Sequence, residues 1–357
     1  MAVKNFEHID VNNDVTTTRT LLHEAIPITG SIINSGTYAN SNIKNFTHGM
    51  FQSVYDYPYL SSSANHIFDL TACYAASSSY SSSANVQNDK KINMYTEFAQ
   101  TLLGYTGSLT DPAKQVRLFE NDLTLDLAGG NVMNEIFVIN FSRLLTKDQV
   151  KKGTFSITFG TGSFENPFAL TSVVLTDASS SADGSGTANV LGGDYGLLYT
   201  SATGSDGNVV HGNIFYQAGI AIISASVFSG IDDFSDGPGF FGINGVSGSL
   251  TGSSISGSCD ALRQRIGTLS FNNTTEINSK IYFCRVPHNK FNYSSNPTYL
   301  SGSKIRVKNT ASDQPVSYIT TIGLYNSSGE MLAVAKLSEP IRKDPTNDIT
   351  LRVRLDY

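Results

Sequence analysis

With 357 residues, the chain is long enough to bury a substantial core as one large or two ordinary domains. Only 15% of residues are charged and 40% are hydrophobic, and Gly, Ser, Thr and Asn crowd the segments between apolar runs, a pattern closer to all-β architecture than to a helical bundle. The 24 Lys and Arg against 30 Asp and Glu leave a formal charge of −6, which removes the general electrostatic reason to bind nucleic acid, whose phosphates are met by Lys and Arg.

From Met1 to about Pro58 the apolar stretches are short and broken by Asn, Gly and Thr, with no sustained helical period, so strands, loops and an N-terminal arm are expected. The start, MAVKNFEHIDVNND, lacks the basic and then apolar pattern of a secretory signal, and synthesis and folding in a cytoplasm are expected. The Ser-rich passage from Ser61 to Asn85 keeps an apolar residue every few positions and reads as a wrapped loop. A helix is predicted next, because Ile92, Tyr95, Phe98, Ala99, Leu102 and Leu103 recur at spacings of three and four. Asn88 or Asp89 is the expected cap, and Gly104 suits the left-handed position after the last turn. Shorter helices are predicted from Asp111-Pro112 and over Thr146 to Lys152.

Strands are predicted at Glu135 to Phe141, Thr154 to Phe159, Phe168 to Thr176, Gly196 to Thr200, Arg265 to Phe271 and Lys280 to Val286. Ser317 to Tyr325 and Met331 to Leu337 flank Asn326 to Gly329 as a hairpin would. In the final run, Ile349, Leu351, Val353, Leu355 and Tyr357 alternate with Thr350, Arg352, Arg354 and Asp356, the pattern of a half-buried strand that pins the end of the chain into a sheet. The organisation expected is therefore three regions: 1–152 with the helix near 88–103, a Gly-rich acidic β and loop region at 153–262, and a C-terminal β domain at 263–357. The fold class is mainly β with a few helices, a β-sandwich-like C-terminal portion, and a mixed α+β N-terminal and middle region.

Between Lys152 and Arg263 there is no Lys or Arg, while nine acidic residues and 20 of the 31 glycines fall there. Solvated acidic loops are the ordinary reading of such a stretch, and a surface for a basic partner is the functional one. Gly237 to Gly242 matches GxGxxG, but the preceding Asp232, Asp233 and Asp236 repel phosphate and no helix follows, so the motif reads as a glycine turn. The same acids miss the EF-hand spacing and read as an exposed turn in preference to a Ca²⁺ site. Ile214 to Ile231 is uncharged for eighteen residues, but its Gln, Ser and Gly favour two buried strands over a membrane span.

Cys73, Cys259 and Cys284 are too scattered for a zinc site or disulfide scaffold and are expected as free buried thiols. The six histidines are likewise scattered, and no nucleophile elbow, phosphate loop or H-E-x-x-H pair occurs. No catalytic, metal or cofactor-binding residue is singled out, and a non-enzymatic chain is expected.

The last seventy residues read HNKFNYSSNPTYLSGSKIRVKN and then PVSYITTIGLYNSSGEMLAVAKLSEPIRKDPTNDITLRVRLDY. This block resembles the C-terminal portion of a family of virion structural proteins of contractile-tailed bacteriophages, especially T4-like marine phages. NHIFDL at Asn65, NVQNDKKINMY at Asn85 and INFSRLLTKDQVKKGTF at Ile139 are similar to earlier parts of that family. The resemblance implies a structural protein of the tail or baseplate, located in the virion, whose partners are other virion proteins and copies of itself. A head decoration or vertex protein is the alternative within that class. A receptor- or glycan-binding adhesin is the alternative outside it, and a glycan partner is disfavoured because fibre tips usually carry repeats and no internal period occurs here. Within the block, Phe291, Tyr293 and Tyr299 interleave aromatics with turn-forming residues. With Tyr357 they are the candidate interface residues, since buried aromatics concentrate interface energy. In a monomer the same rings would pack down on the core.

Overall fold

A computed structural model describes residues 6–29, 41–106, 115–124, 132–163, 166–169, 172–181, 183–200, 209–229, 231, 245–293, 300–301, 304–305, 312 and 314–357. The chain is mainly β. Its strands begin with β1 (Val15–Thr29), β2 (Ile43–Asn45), β3 (Gln52–Tyr55), β4 (His66–Tyr74), β5 (Glu135–Phe141) and β6 (Gln149–Val150). There follow β7 (Ser156–Gly160), β8 (Ser172–Thr176), β9 (Thr187–Val190), β10 (Gly193–Thr200), β11 (Val210–Phe215) and β12 (Ile220–Ser224). The chain then adds β13 (Ile266–Val286), β14 (Leu300–Ser301), β15 (Lys304–Ile305), β16 (Ser317–Tyr325), β17 (Met331–Lys343) and β18 (Ile349–Asp356). The helices are α1 (Asn88–Leu102), the single turn α2 (Arg143–Thr146), α3 (Gly245–Gly252) and α4 (Ile255–Arg263).

Two compact units are present, one formed by Leu22–Thr275 and the other by Met1–Leu21 with Glu276–Tyr357. The boundaries expected after 152 and 262 both fall inside the first. The strands β1 and β13 contribute residues to both.

In the larger unit the strands run β13, β7, β8, β10, β11, β12, β5, β4, β3, β2, each antiparallel to the next. The middle strands are apolar on both faces because both faces are covered. Phe68, Leu70, Phe137, Ile139, Ala221 and Ile223 share one core with Leu250, Ile255, Cys259 and Leu262 of α3 and α4. Cys73, Ile136, Val138, Ile220 and Ile222 face the other way and share a second core with Met94, Tyr95, Ala99 and Leu102 of α1. The uncharged run from Ile214 holds the last two residues of β11, the whole of its buried antiparallel partner β12 and a short 3-10 turn at Ala225–Phe228, so it contains one complete strand where two were expected. No helix among the described residues is long and apolar enough to cross a membrane.

The predicted helix is α1, and Gly104 follows it at φ +79°, a conformation cheap only for glycine. Its capping position is Gln87, left-handed and without a side-chain cap, while Asn88 lies in the first turn and accepts from the Tyr74 hydroxyl at 2.9 Å. Four other expectations need correction. The Ser-rich passage contains β4, a central strand whose run HIFDLTACY is flanked by the serines that made it read as loop. Thr146 to Lys152 is not a helix: α2 ends at Thr146 and β6 pairs Val150 with Asn273. Phe168 to Thr176 becomes strand only at Ser172. The strands expected at Arg265 and Lys280 are one continuous strand, β13, because the sheet satisfies its polar middle. There Asn273 donates to the Leu145 carbonyl at 2.9 Å and accepts from the Glu24 amide at 3.1 Å. The helix start at Asp111 and the Gly237 to Gly242 and Asp232 to Asp236 motifs lie outside the described residues.

Both cations that bound the stretch without Lys or Arg are tied to acids within it. Lys152 pairs with Asp194 at 2.6 Å and Arg263 with Asp260 at 2.9 Å. Asp177 is fully buried and takes hydrogen bonds from the Gly153 and Phe155 amides and the Tyr216 hydroxyl, while burial pushes its carboxyl upward. The cysteines are free; Cys73 and Cys259 are buried, and Cys284 is half-buried, more open than expected.

Candidate assembly surface

The candidate surface belongs to the smaller unit and begins with the strands that frame it. Eight consecutive residues of β18 face Ser279 to Val286 of β13, and Tyr357 continues the ladder by exchanging backbone hydrogen bonds with Asn278. Leu351 and Val353 are buried while Arg352 and Arg354 are exposed, as the alternation requires. Tyr357 breaks that alternation in burial: its ring is 68% exposed, with the Lys280 ammonium 5.9 Å from its centre.

At the other end of this strand pair the chain leaves β13 and makes a tight loop through His288 to Tyr293. A buried lysine organises it. Lys343 is fully buried and its ammonium donates to the His288 carbonyl at 3.2 Å, the Asn292 side-chain oxygen at 2.8 Å and the Asp344 carbonyl at 2.8 Å. Three donors therefore meet three neutral oxygens, which is how an ammonium is kept in a dry site without a carboxylate. The Asn292 amide returns a bond to the His288 carbonyl, Ser317 donates to the Phe291 carbonyl, the His288 amide donates to Asp348, and Lys290 pairs with Glu7 at 2.6 Å. Nearby, hydrogen bonds from the Thr346 hydroxyl and amide hold the Asp344 carboxyl below its ordinary range. So fixed, Phe291 adopts φ +59°, a conformation that costs a non-glycine residue on the order of 1–2 kcal/mol. It stays 37% exposed, and Tyr293 is 52% exposed.

The structure thus keeps Phe291 and Tyr293 together and separates Tyr357 from them by the length of β18, about 26 Å at the rise of an extended strand. Tyr299 lies outside the described residues. Tyr293 and Tyr357 are more than half exposed, whereas most of Phe291 is covered.

Sequence inspection missed a second element of this surface. The hairpin of β16 and β17 has its base at the loop, where Ser317 opposes Lys343, and turns at Asn326 to Gly329 with Gly329 at φ +80°. Leu324, Ile322, Ala333 and Ala335 on one side are buried or half-buried. On the other side Gly323 opposes Val334, and Val334 is 57% exposed and Leu332 70%. Met331 and Tyr318 are also exposed, and Tyr325 packs against Phe6 with ring centres 4.9 Å apart. The signal was present: Met331 to Ala335 reads MLAVA, apolar on both faces of the strand, which in a half-solvated hairpin has no internal explanation.

Comparison with models of known protein families, with curated proteins and with solved structures yields no match.

Chemically, the surface offers apolar and aromatic area that a partner could bury. Among the described residues no cluster of three or more His, Cys, Asp or Glu is arranged to hold a metal ion.

Proposed function

We propose that this chain is a non-enzymatic structural subunit of a tailed-bacteriophage virion, of the tail or baseplate, acting by burial of the C-terminal surface against copies of itself or other virion proteins. The class of particle rests on the resemblance of the C-terminal block and of the segments at Asn65, Asn85 and Ile139. The observation that carries the assembly role is the exposed hairpin face of Leu332 and Val334, with the exposed Phe291 and Tyr293 in the loop at the base of the same hairpin. An isolated two-stranded hairpin is marginal in water, and one that leaves branched aliphatic side chains open gains most when a partner covers them. Aromatic anchors on a pre-ordered loop lower the entropy cost of that contact.

The test is to locate and count the chain in intact particles, by antibody-gold labelling with quantitative mass spectrometry of separated heads and tails. Label at the distal end of the tail, at a copy number that follows the tail's rotational symmetry, supports the reading. Label spread over the head makes the chain a decoration protein, and absence from particles overturns the structural role.

A further inference from the structure

The larger unit contains a cavity that the assembly reading does not use. Lys90, Met94 and Phe98 follow one another at four-residue spacing on one side of α1. Beside them a partly open cavity of about 300 Å³ reaches the sheet, and Asp69 and Thr71 of β4, Asn140 of β5 and Phe51 also line it. That volume is at the lower end of ligand pockets, room for one small ring.

Asp69 and Asn140 are directly opposed across β4 and β5, so their side chains stand on the same face as neighbours. The Oδ1 atom of Asp69 accepts hydrogen bonds from the Ser53 hydroxyl and from His66 Nε2, the latter at 2.8 Å. Its Oδ2 atom has no protein partner among the described residues, and neither does the side-chain amide of Asn140. A carboxylate oxygen that only accepts thus stands beside a carboxamide that both donates and accepts. The Phe51 wall is fixed by Phe46 and His48, with ring centres 4.8 and 4.9 Å away.

Cationic groups already surround this wall. Lys44 lies 4.7 Å from the Phe46 ring centre, and Lys90 donates to the His48 carbonyl at 2.7 Å. They offset the single carboxylate, which favours a neutral hydroxylic ligand over an amine. Vicinal hydroxyls on a ring with an apolar C–H face match this set of groups: one hydroxyl donates to Asp69, its neighbour exchanges hydrogen bonds with Asn140, and the C–H face meets an aromatic ring.

We propose that this cavity binds one neutral monosaccharide residue, with vicinal hydroxyls on Asp69 and Asn140 and its C–H face against Phe51 and Phe98. The experiment is titration of the deuterated, ¹⁵N-labelled full chain with free glucose, galactose and mannose, with their methyl glycosides, and with lysine methyl ester as a cationic probe. Saturable shifts of the amides of Asp69 to Thr71, Val138 to Asn140 and Met94 to Phe98, at a Kd on the order of millimolar, are expected for at least one sugar. Binding by the methyl glycoside as well as the free sugar identifies the terminal residue of a glycan as the source, and binding by the free sugar alone identifies a free monosaccharide. Asn140→Ala, which removes a side chain with no partner among the described residues, is expected to weaken binding about tenfold at unchanged melting temperature, and Asp69→Asn to weaken it by a similar factor. No saturable shift with any sugar, an unchanged Kd in Asn140→Ala, or tighter binding of lysine methyl ester overturns the proposal.

Discussion

Two strands of nearly the same composition have opposite fates in the two units. In the larger unit β12, IAIIS, is apolar but for Ser224 and all five residues are buried, with helices over both faces of the sheet. In the smaller unit the first five residues of β17, MLAVA, are all apolar, yet Met331, Leu332 and Val334 are open to solvent. Composition therefore does not decide burial; cover does. The larger unit supplies its own cover from α1, α3 and α4, and the smaller unit has no helix among its described residues. A sheet face left uncovered in one unit while the other is closed on both sides is what assembly through the smaller unit requires.

The largest expected effect is on the smaller unit, through loss of Arg354 to Tyr357. That deletion removes the Tyr357–Asn278 backbone pair, the Asp356 carboxylate bonded to Ser279, and the half-buried Leu355 from the ladder on β13. The shortened chain is expected to lose the cooperative unfolding of this unit and to become insoluble, read by thermal melting and by the soluble fraction on expression. A shortened chain that melts like the intact one would show that β18 does not hold the unit together.

Next in size is Lys91, the larger unit's counterpart of Lys343. Fully buried in α1, it donates to the carbonyls of Val86, Leu250 and Ser253 at 2.8, 2.6 and 2.8 Å, so one ammonium caps carbonyls at the end of α3. Lys91→Met keeps the stem and removes the donors, and is expected to cost about 3 kcal/mol in urea unfolding, because buried carbonyls are left unpaired. The pH dependence carries a sign. Burial lowers Lys91 from 10.5 to about 8, so between those values the unfolded chain holds a proton that the folded chain has released. Stability from this group therefore rises with pH through that window. Burial pushes the Tyr95 and Tyr216 hydroxyls up, so both chains lose stability above about pH 10, and this loss cancels in the difference between them. The wild type should gain on Lys91→Met from pH 8 upward, and a flat difference would mean that Lys91 titrates at its ordinary value.

What was legible in the sequence follows the same division. Elements with a strong local pattern could be read directly: the apolar run Glu135 to Phe141, Ser317 to Tyr325, the hairpin at Asn326 to Gly329 and α1 by its three- and four-residue spacing. Elements whose partners come from far along the chain could not. Lys91 reads as a solvated helix residue because two of its three acceptors, Leu250 and Ser253, lie some 160 positions away. Asn273 and Ser279 read as turn formers because Leu145 and Asp356 are needed to satisfy them inside a strand. The serines around β4 mask a central strand for a related reason: Ser78 is bonded to Glu135 and Ser77 to Asn134, contacts that local propensity does not contain. At the candidate surface, Phe291 and Tyr293 were found by their composition. Val334 was missed because an apolar run on both faces is ambiguous until one knows whether the second face is covered.

The smallest expected effect on stability is also the sharpest test of the comparison. Val334→Asp adds a charge at a position that is 57% exposed and opposite Gly323, with water available to solvate it. Its stability by urea unfolding should stay within about 0.5 kcal/mol of wild type, the ordinary range for a surface substitution. Assembly should fail, read by sedimentation of the purified chain at increasing concentration and by its incorporation into particles, because a carboxylate buried without a partner at an interface costs several kcal/mol on the scale of transfer from water. A variant that is stable and still assembles would remove the hairpin face from the interface and leave the aromatic side chains, Phe291, Tyr293 and Tyr357 among them, as the candidate anchors. A variant that unfolds would mean that Val334 is covered within the unit, and the contrast with β12 would disappear.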